Sequence, residues 1–208
     1  MQYILKYFPH ISYNQISQFE KMIDIYQYWN SKINLISKKD IDNIYLRHIL
    51  HSIYICKIIN FDTNSQILDL GTGGGFPGIP LAIMNPESKF LLIDSVKKKT
   101  LVLKKIVDFL ELKNITIINK RIEIGIKNNI YCDFIISRAL TNDLKMFIKL
   151  SKTFNSNNRN KCLLYFKGGD IIWKKSFNNY IISHKIYSIQ NYFHETFFYK
   201  KYLIKMIL

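Results

Sequence analysis

Between residues 67 and 80 the chain reads Ile67-Leu68-Asp69-Leu70-Gly71-Thr72-Gly73-Gly74-Gly75-Phe76-Pro77-Gly78-Ile79-Pro80, an apolar run that breaks into glycines and resumes as a helix-compatible stretch. Four of the chain's eight glycines fall within five residues, and Gly78 adds a fifth. A tight turn needs one or two; a cluster this dense lets backbone approach a ligand where any Cβ would clash. A strand feeding such a turn and then a helix opens a βαβ unit. In open α/β sheets, ligands bind at the carboxyl edge of such strands.

The sequence on either side agrees. Ile67 to Leu70, Phe90 to Ile93, Ile115 to Ile118, Phe134 to Ile136 and Cys162 to Phe166 are short runs rich in β-branched or aromatic residues, the pattern of buried strands. Helix-like stretches separate them at Gly78 to Met84, Lys97 to Leu112 and Asn142 to Lys152. The alternation predicts a mostly parallel sheet with helices on both faces. Apolar runs at Tyr180 to Ile182, Ile186 to Ile189 and Tyr202 to Leu208 read as closing strands, with antiparallel pairing open to one of them. Upstream, Ile16, Phe19, Ile23, Tyr26 and Ile33 form a helical stripe over Tyr13 to Ser37, and a second helix is expected from Asp40 to about Ile59. Residues 1–60 thus read as an N-terminal helical cap and 61–208 as the α/β core, with no Gly- or Ser-rich linker between them.

Composition narrows the partners. With 48% hydrophobic residues in 208, there is enough apolar material for one core, which excludes disordered and collagen-like classes. Thirty Lys and Arg against 15 Asp and Glu give +15, which favours a polyanion such as nucleic acid. Heavy use of Lys, Ile, Asn and Tyr is also what an AT-biased coding sequence produces, so compositional drift on a solvated surface is the alternative source of the excess. Only four arginines occur, Arg47, Arg121, Arg138 and Arg159. In a chain that otherwise uses lysine, these positions rank first as places that need the planar guanidinium fork. Cys56, Cys132 and Cys162 are odd in number and far apart, which fits neither a disulfide framework nor a metal site. No apolar stretch approaches the roughly 20 residues of a membrane span, and Lys6 and Pro9 interrupt the N-terminal run. A cytoplasmic monomer without metal or membrane contact is expected.

The acidic residues indicate which ligand the glycines serve. Gly73 to Gly78 satisfies G-x-G-x-x-G, a weak signal by itself. Asp69, immediately before the glycines, would repel a pyrophosphate and suits a cationic cofactor. Asp94 closes the next strand at about the spacing where a carboxylate grips ribose hydroxyls, although a helix-capping role for Asp94 or Ser95 also fits.

Taken together, Arg47-His48-Ile49-Leu50-x-Ser52, the segment Asp69 to Leu81, Asp94-Ser95, Arg121-x-Glu123, Ile136-Ser137-Arg138-Ala139 and Phe166-Lys167-Gly168 closely resemble the RsmG (GidB) family. Its members are bacterial S-adenosylmethionine-dependent methyltransferases of small-subunit ribosomal RNA that act at N7 of a guanine. The resemblance runs from about Trp29 to Gly168, and it implies a Rossmann-like class I methyltransferase fold. It further implies S-adenosylmethionine as cofactor, held by Asp69, Gly71, Gly73, Phe76, Asp94, Ile122, Glu123 and Arg138. Arg138 would sit beside cofactor and target base as the catalytic position, and Arg47, His48 and Lys167 would meet 16S rRNA or the small ribosomal subunit. Two positions depart from the family. His51 stands where a carboxylate is usual, and Val96-Lys97-Lys98-Lys99 follows Asp94-Ser95 where an arginine is frequent.

Guanine N7 carries a lone pair and no proton, so this transfer needs alignment and no strong base. The lack of a Ser-His-Asp or Cys-His constellation is therefore no objection. Lys97, Lys98, Lys99, Lys104, Lys105 and Lys167 are candidates for a phosphate rim. A nicotinamide-dependent oxidoreductase on the same fold, a methyltransferase of a non-RNA substrate and a non-catalytic RNA-binding protein are the alternatives.

Overall fold

The computed structural model describes residues 1–121, 130–140, 143–156, 161–171 and 179–208. Seven strands form one sheet: β1 (Gln66–Leu70), β2 (Lys89–Asp94), β3 (Ile115–Asn119), β4 (Phe134–Arg138), β5 (Cys162–Gly168), β6 (Ser183–Ser188) and β7 (Lys201–Ile207). Their order is β3-β2-β1-β4-β5-β7-β6. β1 to β5 are parallel, and β7 alone runs against its neighbours β5 and β6. The direction of progression reverses between β1 and β4, so the carboxyl ends of these two strands flank the crevice where ligands of such sheets bind.

Strand alternation sorts side chains onto the two faces. Ile67, Ile136, Leu164, Phe166 and Leu203 join one core cluster; their neighbours Leu68, Ile135, Leu163, Tyr165 and Ile204 join the other. The first face is covered by α1 (Gln2–Tyr7), α2 (Tyr13–Asn30), a helical segment through residues 41–57, α4 (Gly78–Met84) and α5 (Lys97–Phe109). On the second face, α6 (Leu144–Ser151) buries Phe147 and Ile148. Among the described residues no helix is long and apolar enough to cross a membrane.

The structure redraws both expected N-terminal helices. α2 begins at a capping box, where Ser12 Oγ accepts from the Gln15 amide and Gln15 Oε1 accepts from the Ser12 amide. It stops at Asn30 and not at Ser37, because Asn30 Oδ1 accepts from the Leu35 and Ile36 amides at 2.9 and 3.0 Å and folds the chain back. Its buried face is Phe19, Met22 and Tyr26, while Ile16 and Ile23 are only partly buried. The second expected helix is a composite. A 3-10 turn (Ile41–Asn43) leads into a π-helical stretch (Tyr45–Leu50), one α-turn (α3, His51–Ile53) and a further 3-10 turn (Tyr54–Lys57). Such π-helical insertions concentrate at functional sites, and this one carries Arg47 and His48. At the other end of the chain, the expected strand at Ile186 to Ile189 begins earlier, at Ser183, and Tyr180 to Ile182 lies outside the sheet.

Candidate active site

The glycine segment leaves β1 at its carboxyl end and is held from three sides. Asp69 Oδ2 accepts from Thr72 Oγ1 at 2.6 Å and from the Gly78 amide at 2.9 Å, closing the loop from within. The Gly71 and Thr72 amides both donate to the Ile93 carbonyl, and the Gly73 amide donates to Asp94 Oδ2 at 2.8 Å, which fastens the loop to β2. From the N-terminal side, the Tyr26 hydroxyl donates to the Gly74 carbonyl at 2.7 Å.

Two glycines carry different constraints. Gly71 has φ +73°, a conformation that favours glycine, and a Cβ there would also displace the Leu140 side chain, whose Cδ1 would lie 2.4 Å away. Gly73 has φ +58°, but the nearest atom to a Cβ there is Gly71 O at 3.9 Å. Open space lies over Gly73, at the point where the loop amide meets Asp94.

Asp69 is fully buried, and burial drives its carboxyl up to about 7 against the opposing hydrogen bonds and the Arg138 charge. Its Oδ1 is buried with no hydrogen-bond partner among the described residues. A vacant acceptor on a carboxylate beside an open glycine cradle suits a ligand with a cationic donor group. Asp94 is engaged locally: besides the loop amide it accepts from the Val96 amide at 2.8 Å. Neither Asp94 nor Ser95 caps α5, whose N-cap is Val96 with no side-chain bond.

Arg138 ends β4 across the crevice. Its guanidinium donates to the Arg47 carbonyl at 3.2 Å and to His48 Nδ1 at 2.7 Å, and it lies 5.3 Å from the centroid of Phe76. Burial lowers it to about 10, with Asp69 and Asp40 opposing. Because arginine only donates, His48 Nδ1 must be an acceptor and the imidazole proton sits on Nε2. Burial and the Arg138 charge push His48 down to about 3, so the ring is neutral, and its Nε2 stands 3.7 Å from Asp40 Oδ2. Asp40 is also the partner of Arg47, at 2.6 Å. Phe76 packs among Tyr26, His48 and Arg138 and is only 3% exposed.

Of the positions singled out in the sequence, Asp69, Gly71, Gly73, Asp94, Arg138, Arg47 and His48 therefore converge on the crevice. Lys167 sits at the end of β5, and Ile122 and Glu123 lie outside the described residues. Lys105 Nζ lies over the Trp29 ring at 5.1 Å, away from this group. Two contributors were missed. Asp40 pairs with Arg47, and Tyr26 was counted only as an apolar stripe residue. Nothing in the local sequence distinguishes either. His51 is buried in a box of Phe166, Phe197 and Phe198, with ring centroids at 4.7, 5.7 and 5.8 Å, and burial holds it well below the usual histidine range. Among the described residues no group of three or more His, Cys, Asp or Glu could hold a metal.

Comparison with known proteins identifies the fold and the family. The chain is similar to M. jannaschii TYW2 in complex with AdoMet, with TM-score 0.59 at 12% identity over 85% of this chain and 78% of that one. It also resembles a SAM-dependent methyltransferase from Aquifex aeolicus, with TM-score 0.55 at 14% identity over 75% and 88%. At those identities the likeness establishes the fold, a Rossmann-like class I methyltransferase fold. Sequence goes further. The ribosomal RNA small subunit methyltransferase G of Christiangramia forsetii is 45% identical over 98% of this chain and 95% of its own length. That of Flavobacterium johnsoniae is 50% identical over 82% of each. The family model for GidB, rRNA small subunit methyltransferase G, matches residues 15–172. With most of its length matched both by that model and by full-length relatives, the chain belongs to the rRNA small subunit methyltransferase G family.

Proposed function

We propose that the protein transfers a methyl group from S-adenosylmethionine to N7 of a guanine in 16S rRNA, acting as a cytoplasmic monomer whose residues 1–60 form a cap on the 61–208 core. The observation that carries this reading is the pairing of an open glycine cradle at the end of β1 with a buried, partly vacant carboxylate, Asp69, and with Asp94 at the end of the adjacent strand β2. This donor set fits a cationic nucleoside. Gly71, Gly73 and Asp94, with Ile122 and Glu123, would hold its nucleoside portion, and Asp69 its positive charge. When bound, S-adenosylmethionine supplies an electrophilic sulfonium methyl group.

The remaining work falls to this chain's own residues. Guanine N7 offers an in-plane lone pair, so no residue must remove a proton, and the neutral His48 is consistent with that. Arg138 is fixed by His48, the Arg47 carbonyl and Phe76, and the N–H groups left over from those two bonds would serve the base O6 or a phosphate. Arg47, His48 and Lys167 would line the RNA side.

The test is to incubate the protein with methyl-labelled S-adenosylmethionine and small ribosomal subunits lacking the modification, then digest and analyse nucleosides by mass spectrometry. Label as N7-methylguanosine at one site is expected. Cofactor binding with no label on subunits or free rRNA would overturn the substrate, and no cofactor binding would overturn the reaction.

A further inference from the structure

Beside the crevice, at the carboxyl end of β5, lies a cavity of about 280 Å³ lined by His51, Arg138, Phe166, Lys167, Gly168 and Lys201 among others. The strand register builds it. Arg138 pairs with Phe166 on the parallel side of β5, and Lys201 of β7 pairs with Gly168 on the antiparallel side. A Cβ on Gly168 would find nothing within 4 Å, so the cavity stays open there.

Its charge is one-sided. Arg138, Lys167 and Lys201 are cations, His51 is enclosed by aromatic rings, and none of the described lining residues is acidic. Other surface lysines do find carboxylates: Lys200, next to Lys201 in the chain, pairs with Asp170 at 2.8 Å, and Lys6 with Glu195 at 2.9 Å. Among the described residues the side chains of Lys167 and Lys201 have neither ion pair nor hydrogen bond. Lys201 Nζ instead lies 4.0 Å over the Phe197 ring, whose centroid is also 5.7 Å from Arg47 Cζ. Lys201 falls beyond the residues matched by the family model, 15–172.

We infer that this cavity is a phosphodiester subsite, in which Lys167 and Lys201 clamp an RNA backbone phosphate flanking the acceptor nucleotide, with Arg138 at the inner wall. The inference rests on the RNA-methylating function proposed above. A phosphate fits this lining better than the target base does. Methylation at N7 makes the purine cationic, which three surrounding cations oppose, whereas a phosphodiester keeps its negative charge throughout. Contacts made equally before and during reaction act on substrate affinity and leave turnover alone.

The experiment compares wild type with Lys201→Ala, Lys167→Ala and Lys201→Arg in rRNA methylation over a range of salt concentrations, with Lys200→Ala as a surface-lysine control and melting temperatures as a check on folding. Each alanine variant is expected to raise KM for RNA by about tenfold, leave kcat within about twofold, and reduce the log–log salt slope by about one. Lys201→Arg should restore most of the affinity, and the affinity for S-adenosylmethionine should not change. In direct titration, guanosine 5′-monophosphate should bind wild type more tightly than guanosine, and Lys201→Ala should erase that difference. An unchanged salt slope in Lys201→Ala, or equal binding of the two probes by wild type, overturns the subsite. Loss confined to S-adenosylmethionine affinity overturns it as well, because the anion would then be the cofactor's carboxylate. If wild type methylates no rRNA yet distinguishes the two probes through Lys201, the phosphate subsite stands and the functional reading falls.

Discussion

Arg138 and His48, 90 residues apart in the chain, are joined by a 2.7 Å hydrogen bond in which the guanidinium donates to Nδ1. The bond fixes the imidazole tautomer and holds the arginine fork against Phe76. His48→Asn keeps an acceptor near the Nδ1 position and should retain most activity. His48→Ala strips a partly buried guanidinium of its acceptor, costing about 1–3 kcal/mol. Arg138→Lys keeps the charge but loses the fork and the stacking, so kcat/KM should drop by about two orders of magnitude, while stability should fall by no more than in His48→Ala. Steady-state methylation and thermal melts on the three variants check this; a fully active Arg138→Lys enzyme would remove the positioning role.

The proposed role of Asp69 in holding the cofactor's positive charge predicts that cofactor binding is sensitive to pH. Its folded value is driven from 3.8 to about 7 by burial, so the free native protein binds this proton more tightly than the unfolded chain does. The carboxyl therefore lowers stability as pH rises through that window. A cationic ligand favours the ionised form, so S-adenosylmethionine affinity should increase between about pH 6 and 8, with proton release on binding. Calorimetry in buffers of different ionisation enthalpy should detect the released proton, and Asp69→Asn should flatten the profile.

His51 contributes in the opposite sense. Burial, with Arg138, Lys201 and His48 nearby, depresses it below the ordinary 6.5, so the unfolded chain binds this proton more readily than the native one. The native state has this contribution above about pH 6.5 and loses it on acidification. Between pH 7 and pH 5 His48 acts in the same sense and Asp69 in the opposite one, so the His51 contribution is read as a difference: the urea midpoint of His51→Leu should lose less, or gain more, than that of wild type over this range, whatever its absolute stability.

The glycine loop can be tested against a control within the same sheet. Gly71→Ala combines a left-handed φ with the Leu140 contact and should destabilise by about 2 kcal/mol or more. Gly168→Ala places its methyl in open space on an ordinary strand and should stay within about 0.5 kcal/mol of wild type. Equal stabilities for the two variants would contradict the loop geometry.

The five parallel strands were readable because each is an apolar run bounded by polar residues. Four of them extend past that run at the carboxyl end, to Asp94, Asn119, Arg138 and Gly168. The added residues are polar or small because that edge faces the crevice, so a reading based on apolar runs stops just short of the site. The helices of residues 1–60 were less legible: Asn30 ends α2 through two backbone bonds that periodicity does not encode. At the site, glycine density and the two aspartates marked the loop. The Asp40, His48 and Arg138 cluster and the hydrogen bond from Tyr26 to Gly74 join residues distant in sequence, so no local pattern reveals them.

Helix α2 touches the nucleotide-binding half at three separate points: Tyr26 on the glycine loop, Gln15 on the Ile83 carbonyl at the end of α4, and Gln18 on the Leu110 carbonyl just past α5. A helix anchored at all three cannot fray by itself. Its amides and those of the loop belong to one cooperative opening unit, so a ligand seated on the glycines slows hydrogen exchange along a helix it never touches.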